Sequence, residues 1–230
     1  MAAGGLTDAR RRIASAASRV DRDPADIELV IVSKGRSDDE VMALYGAGHR
    51  LFAENRAEAL VARREGSLPD DIVWHFVGSV QRRKAKAIAP HIELLQSMDR
   101  ERLEASWASQ PSPPPVLLQV NIAAEEQKHG YSDDEVLAAA DRLADVGVVV
   151  RGLMVLPPVP QHPEDSRQWF NLLSALGTEL QEAHPQASAL SMGMSDDFEV
   201  AVECGATMVR LGRTIFEAGE RENDAPRPEV

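Results

Sequence analysis

The chain has 230 residues, room for one domain with a full hydrophobic core and too few for two. Apolar residues make up 43% of it and aromatics only 4%, so that core must be built from Val, Leu, Ile, Ala and Met. The net charge of −12 repels phosphate backbones and argues against a nucleic-acid partner.

In chain order, a helix is expected around 6–20, without the apolar core of a signal peptide. The run ELVIVS at 28–33 reads as a strand and ends on Lys34. SDDEVMALYGAG follows, with Ser37 as N-cap, acidic residues in the first turn and glycines at Gly46 and Gly48 to stop the helix. Strand-like runs recur at 50–53, 73–78, 94–98, 116–122, 149–156, 189–193 and 208–212. Between them lie a second helix of the Ser37 design, Ser132 to Gly147, and a longer amphipathic one in EDSRQWFNLLSALGTELQEAH. PSPPP at 111–115 and PPVPQHP at 157–163 are loops. The polar, Pro-containing segment 217–230 is expected to be a disordered tail behind a domain spanning 1–216.

No run approaches the roughly 20 apolar residues of a membrane span. Cys204 is the only cysteine, which leaves no internal disulfide and fits a reducing compartment. A cytoplasmic protein is expected, with no membrane partner.

Eight strands alternating with helices imply parallel strands joined by right-handed crossovers, and eight such units close into a (β/α)8 TIM barrel. An open doubly wound sheet is the alternative. Against it, no G-x-G-x-x-G follows the first strand. In a barrel, function belongs at the C-terminal strand ends.

Those ends carry the candidate chemistry. A lysine directly after a buried strand, as Lys34 is, can be partly desolvated and so become a nucleophile for carbonyls. By position alone it reads at least as well as a side chain that snorkels to solvent. Ser191, Met192, Gly193 and Ser195 follow strand seven. Arg210, Gly212, Arg213 and Thr214 lie in and after strand eight. Glycines beside hydroxyl residues let backbone N–H groups approach a phosphate, and barrels commonly place phosphate sites after strands seven and eight. Either loop alone also fits ordinary turn chemistry. His75, between Trp74 and Phe76, is expected to be a packed neutral imidazole. QRRKAK at 81–86 reads as a solvated basic face, Lys128 as a loop charge or a second amine, and Cys204 as packing. The histidine spacing suits no structural zinc.

Taken together, VSKGR, FAENRAE, WHFVGSVQRRKAK, SMD, QVNIAAEEQKHG, GLMVLPP and SMGMSDDFEVAVECGATMVRLGRTIF resemble the pyridoxal phosphate homeostasis proteins (the YggS/PROSC group), which share the barrel of the alanine racemase N-terminal domain. The resemblance runs from Glu28 to Phe216. It implies pyridoxal 5′-phosphate as cofactor, held as a Schiff base on Lys34, with Asn55 in contact with it. It also implies a phosphate cradle in Ser191 to Ser195 and Gly212 to Thr214, and Arg210 facing the pyridine nitrogen. Lys128 resembles a second family lysine able to interact with the cofactor. Three positions depart from the pattern. Ala53 stands where Gly is usual, Arg83-Lys84 where Asn-Lys is usual, and Arg213 where the residue is often small.

An arginine at the ring nitrogen cannot accept a proton, so the ring remains a weak electron sink. No tyrosine is an evident second base, since Tyr45 falls mid-helix and Tyr131 opens one. The expectation is a non-catalytic carrier of pyridoxal phosphate, monomeric or weakly dimeric, with apo-enzymes as recipients. The alternative is a racemase-like enzyme of the same cofactor. A third possibility is a sugar-phosphate barrel enzyme with Lys34 as an aldolase-type lysine.

Overall fold

The computed structural model describes residues 2–125 and 127–217. Eight strands close a barrel in chain order, each parallel to its neighbours: β1 (Glu28–Val32), β2 (Leu51–Glu54), β3 (Val73–Phe76), β4 (Leu94–Met98), β5 (Val116–Val120), β6 (Val150–Val155), β7 (Ala189–Ser191) and β8 (Met208–Leu211). β8 pairs with β1 in the register Val30 to Arg210, which closes the ring and excludes the open sheet. All eight expected strands are present. Most end one or two residues earlier than their apolar runs, because the last apolar residues belong to the functional loops.

The helices are α1 (Ala2–Ser18), α2 (Asp38–Gly46), α3 (Ala57–Glu65), α4 (Ala85–Ile88), α5 (Glu101–Ala108), α6 (Val136–Asp145), α7 (Arg167–Ala183), α8 (Phe198–Glu203) and α9 (Arg213–Phe216). The Ser37 cap is a full capping box with Glu40. The Ser132 box forms as well, on a 3-10 turn (Asp133–Glu135) that leads into α6. No expectation covered α3 and α5: their N-caps are Arg56 and Arg100, and neither makes a side-chain cap bond. Of the expected tail, only Glu217 lies among the described residues.

Alternation along each strand builds two cores. Leu29 and Ile31, Trp74 and Phe76, and Val209 and Leu211 face outward, into the layer packed under the helices. Leu94, Leu117 and Met154 form a separate cluster with Ala189 and Met208, which we assign to the barrel interior. α8 and α9 are too short to cover β8, and α1 packs against both. Leu6, Ala9 and Ile13 of α1 are buried, and Arg12 makes two bonds to Glu199 of α8, at 3.1 and 2.9 Å.

Candidate functional site

β1 runs into a tight turn. The Arg36 N–H donates to the Ser33 carbonyl at 3.0 Å, leaving Lys34 and Gly35 at the corner. Gly35 has φ +72, the left-handed region that a side chain rarely tolerates. An ion pair buried below fixes this turn. Arg63 Nε lies 3.0 Å from Glu54 Oε1, and its Nη2 donates to the carbonyls of Ser33 and Arg36 at 3.2 and 2.6 Å. The Ser33 hydroxyl donates to the same Glu54 oxygen at 2.9 Å. Lys34 is therefore an exposed lysine on a rigid corner.

On β8, Arg210 is 4% exposed. Its Nη1 donates to the Ser191 carbonyl and hydroxyl at 2.8 and 2.6 Å, and its Nη2 to the Val155 carbonyl at 2.8 Å. Burial pushes this guanidinium down to about 10, and the charge of Asp197 opposes that fall. The Ser191 hydroxyl donates onward to Gln96 Oε1 at 2.7 Å, and Gln96 Nε2 lies 2.9 Å from His75 Nδ1. Burial holds His75 down at about 4, so it is the packed neutral imidazole expected of it.

The loop after β7 is shaped by Asp197. Its Oδ1 accepts the Met194 N–H at 2.8 Å and its Oδ2 the Ser166 hydroxyl at 2.7 Å. Burial raises this carboxyl and those two bonds lower it. Gly193 has φ +91, and a Cβ there would stand 2.5 Å from the Ala201 Cβ. The Thr214 N–H donates to Ser195 Oγ at 3.3 Å, which ties the two loops together. The backbone N–H groups of Ser195, Gly212 and Arg213 donate to no carbonyl among the described residues.

These loops enclose a cavity of 360 Å³ at the C-terminal mouth. Lys34, Asn55, Ser195, Arg210, Gly212 and Arg213 line it together, with Val32, Val77, Leu156 and Met194 as apolar wall. Among the described residues, three cations and no carboxylate line this space, in a chain of net charge −12. Asn55 Oδ1 is buried without a hydrogen-bond partner. The lining of anion donors, an amine and an apolar wall fits a phosphorylated aromatic aldehyde.

Not every candidate converges. Ser191 turns its hydroxyl to Arg210 and Gln96, and Met192 packs in the outer core. Gly193 accepts the Arg210 N–H through its carbonyl. Thr214 is half-buried beside Ser195. Lys128 lies in an adjoining cleft that shares Val77 and Leu156, and its ammonium is bonded to Glu125, Leu156 and Pro157 oxygens at 2.7, 3.3 and 3.0 Å. Sequence reasoning missed Gln96 and the Glu54–Arg63 pair. The signal for Gln96 was a long polar side chain within a mostly apolar strand. A larger cavity, 490 Å³, opens beside the first residues of β1 and β2. That end of a barrel carries stability rather than chemistry.

Known proteins resemble the chain in sequence and in fold. No family model matches the chain. The pyridoxal phosphate homeostasis protein of Aquifex aeolicus is 34% identical over 94% of this chain and 97% of its own. That of Pasteurella multocida is 32% identical over 93% and 95%. The structure of PipY from Synechococcus elongatus with pyridoxal phosphate bound is 31% identical, with a TM-score of 0.73 over 89% of this chain and 99% of PipY. Alanine racemase of Clostridium difficile shares the fold, with a TM-score of 0.68 at 14% identity over 91% of this chain and 56% of the racemase.

Proposed function

The chain belongs to the pyridoxal phosphate homeostasis protein family, and from that membership we propose that it binds pyridoxal 5′-phosphate in the mouth cavity, holds it as a Schiff base on Lys34 and buffers the free aldehyde. The observation that carries this reading is the lining: Lys34, Arg210 and Arg213 with free backbone donors, around one space. The N–H groups of Ser195, Gly212 and Arg213 would bind the phosphate, with the Arg213 charge at its edge. Arg210 would donate to the ring nitrogen, and Asn55 would meet the polar edge of the ring. When bound, pyridoxal phosphate supplies an aldehyde carbon for amines and a ring that accepts electrons.

Holding, rather than turnover, fits the remaining side chains. Racemisation at a Cα needs a proton acceptor on each face of the ligand. Lys34 can serve one face. The Tyr131 hydroxyl donates to Glu104 at 2.6 Å and that of Tyr45 to Asp71 at 2.8 Å, and neither lines the cavity. Burial and the Glu104 bond both raise the Tyr131 phenol, so it is a poor base.

Mixing the protein with pyridoxal phosphate should produce an imine absorbance band that Lys34→Ala abolishes. Absence of cofactor uptake by absorbance and mass spectrometry refutes the proposal. Sustained solvent-deuterium exchange at Cα across a panel of amino acids would replace the carrier by the racemase-like enzyme. In the carrier reading the loaded protein passes its cofactor to apo-enzymes, measurable as recovery of their activity.

A further inference from the structure

Behind Arg210 lies a run of hydrogen bonds whose direction has one solution. Arg210 can only donate, so Ser191 Oγ, 2.6 Å from Nη1, accepts and directs its own proton to Gln96 Oε1 at 2.7 Å. Gln96 Nε2 is then the donor to His75 Nδ1 at 2.9 Å, with its other proton toward Met208 Sδ at 3.9 Å. His75 therefore carries its own proton on Nε2. The four residues come from β3, β4, β7 and β8, and all are buried. A side-chain amide accepts at one end and donates at the other without taking a charge. Among the described residues, Asp197 is the one acid that bears on Arg210, Lys34 and Arg213 share its cavity, and His75 is governed by burial.

We propose that Gln96 is a positioning residue for the ligand site. By accepting the Ser191 proton it holds that hydroxyl as an acceptor for Arg210, with the remaining Arg210 N–H groups offered to the cavity, so that a heterocyclic ring nitrogen meets a donor and stays unprotonated. The ligand clause rests on the pyridoxal phosphate reading. The run itself is a property of the chain without ligand.

Nitrogen NMR of the ligand-free protein tests the run. His75 is expected to be neutral with its proton on Nε2 from pH 8 to pH 5. A wild-type His75 with its proton on Nδ1 overturns the proposal. Gln96→Glu keeps the shape and, once ionised, removes the donor, so His75 must then move its proton to Nδ1 or bind a second one. In the loaded protein, the added negative charge should shift the pH midpoint of the bound-cofactor absorbance upward by about one unit. Gln96→Leu should weaken cofactor retention roughly tenfold, as Arg210 loses its oriented partner. If Gln96→Leu fails to fold, the isosteric Gln96→Glu and the wild-type tautomer still decide. A merely structural Gln96 would lower the melting temperature and leave tautomer and midpoint in place, which overturns the positioning role alone. If His75 carries its proton on Nε2 and no cofactor binds, the proposed function falls and the positioning role falls with it.

Discussion

The rigid corner that presents Lys34 depends on an ion pair removed from water, and that pair can be broken deliberately. The Glu54 side chain is 1% exposed and that of Arg63 8%. Arg63→Met would leave the Glu54 carboxylate with only the Ser33 hydroxyl at 2.9 Å and the Asn55 N–H at 3.4 Å. It would also remove the donor to the Ser33 and Arg36 carbonyls. Breaking a buried pair from one side costs about 3–5 kcal/mol, because the other charge stays buried and uncompensated. For a chain of this size that is a fall of about 10 °C in melting temperature. Replacing both, as Glu54→Leu with Arg63→Met, removes the stranded charge and should recover about 2 kcal/mol of the loss. Denaturant titration of the wild type, the two single variants and the double variant measures the coupling. A loss under about 1 kcal/mol in Arg63→Met would show that the pair does not hold the corner. Because the same bonds fix the turn, Arg63→Met should also slow imine formation on Lys34.

Three further outcomes follow from the geometry. Gly193→Ala combines a left-handed φ of +91 with a Cβ 2.5 Å from that of Ala201, and should destabilise by roughly 2 kcal/mol or more, read from the denaturation midpoint. His49 and His75 are both held at about 4 by burial, below the 6.5 of an unfolded imidazole. Between those values the unfolded chain binds protons that the folded chain refuses, so stability falls as pH drops from about 6.5 toward 4, by up to about 3 kcal/mol per histidine. The buried carboxylates Asp99 and Asp197, raised by burial, act in the opposite sense at lower pH, so unfolding at pH 6.5 and pH 5 is the pair to compare. A flat profile over that window would contradict a buried neutral state for both imidazoles. Inorganic phosphate should compete with pyridoxal phosphate for the cavity, and Arg213→Ala should weaken that competition only a few-fold, because its side chain is 62% exposed and paired with Asp196.

The sequence by itself determined the list of elements and the kind of chemistry. Apolar runs of strand length alternating with capped amphipathic segments are local signals, and they suffice for eight parallel strands. Lys34 at the end of β1 and the Gly-containing loops after β7 and β8 were legible for the same reason: each is a residue type at a strand end. Helices that start on Arg56 and Arg100 were not, because the local capping signal is missing. Tertiary structure alone decided which of those residues meet. Ser191 sits at a strand end legible from the sequence, yet its hydroxyl serves Gln96, 95 positions away, rather than the cavity. The Glu54–Arg63 pair and the direction of the His75–Gln96–Ser191–Arg210 run depend likewise on strands brought side by side by barrel closure. A strand's period says which face a side chain takes. What waits on that face is set by strands far along the chain, and no local pattern encodes it.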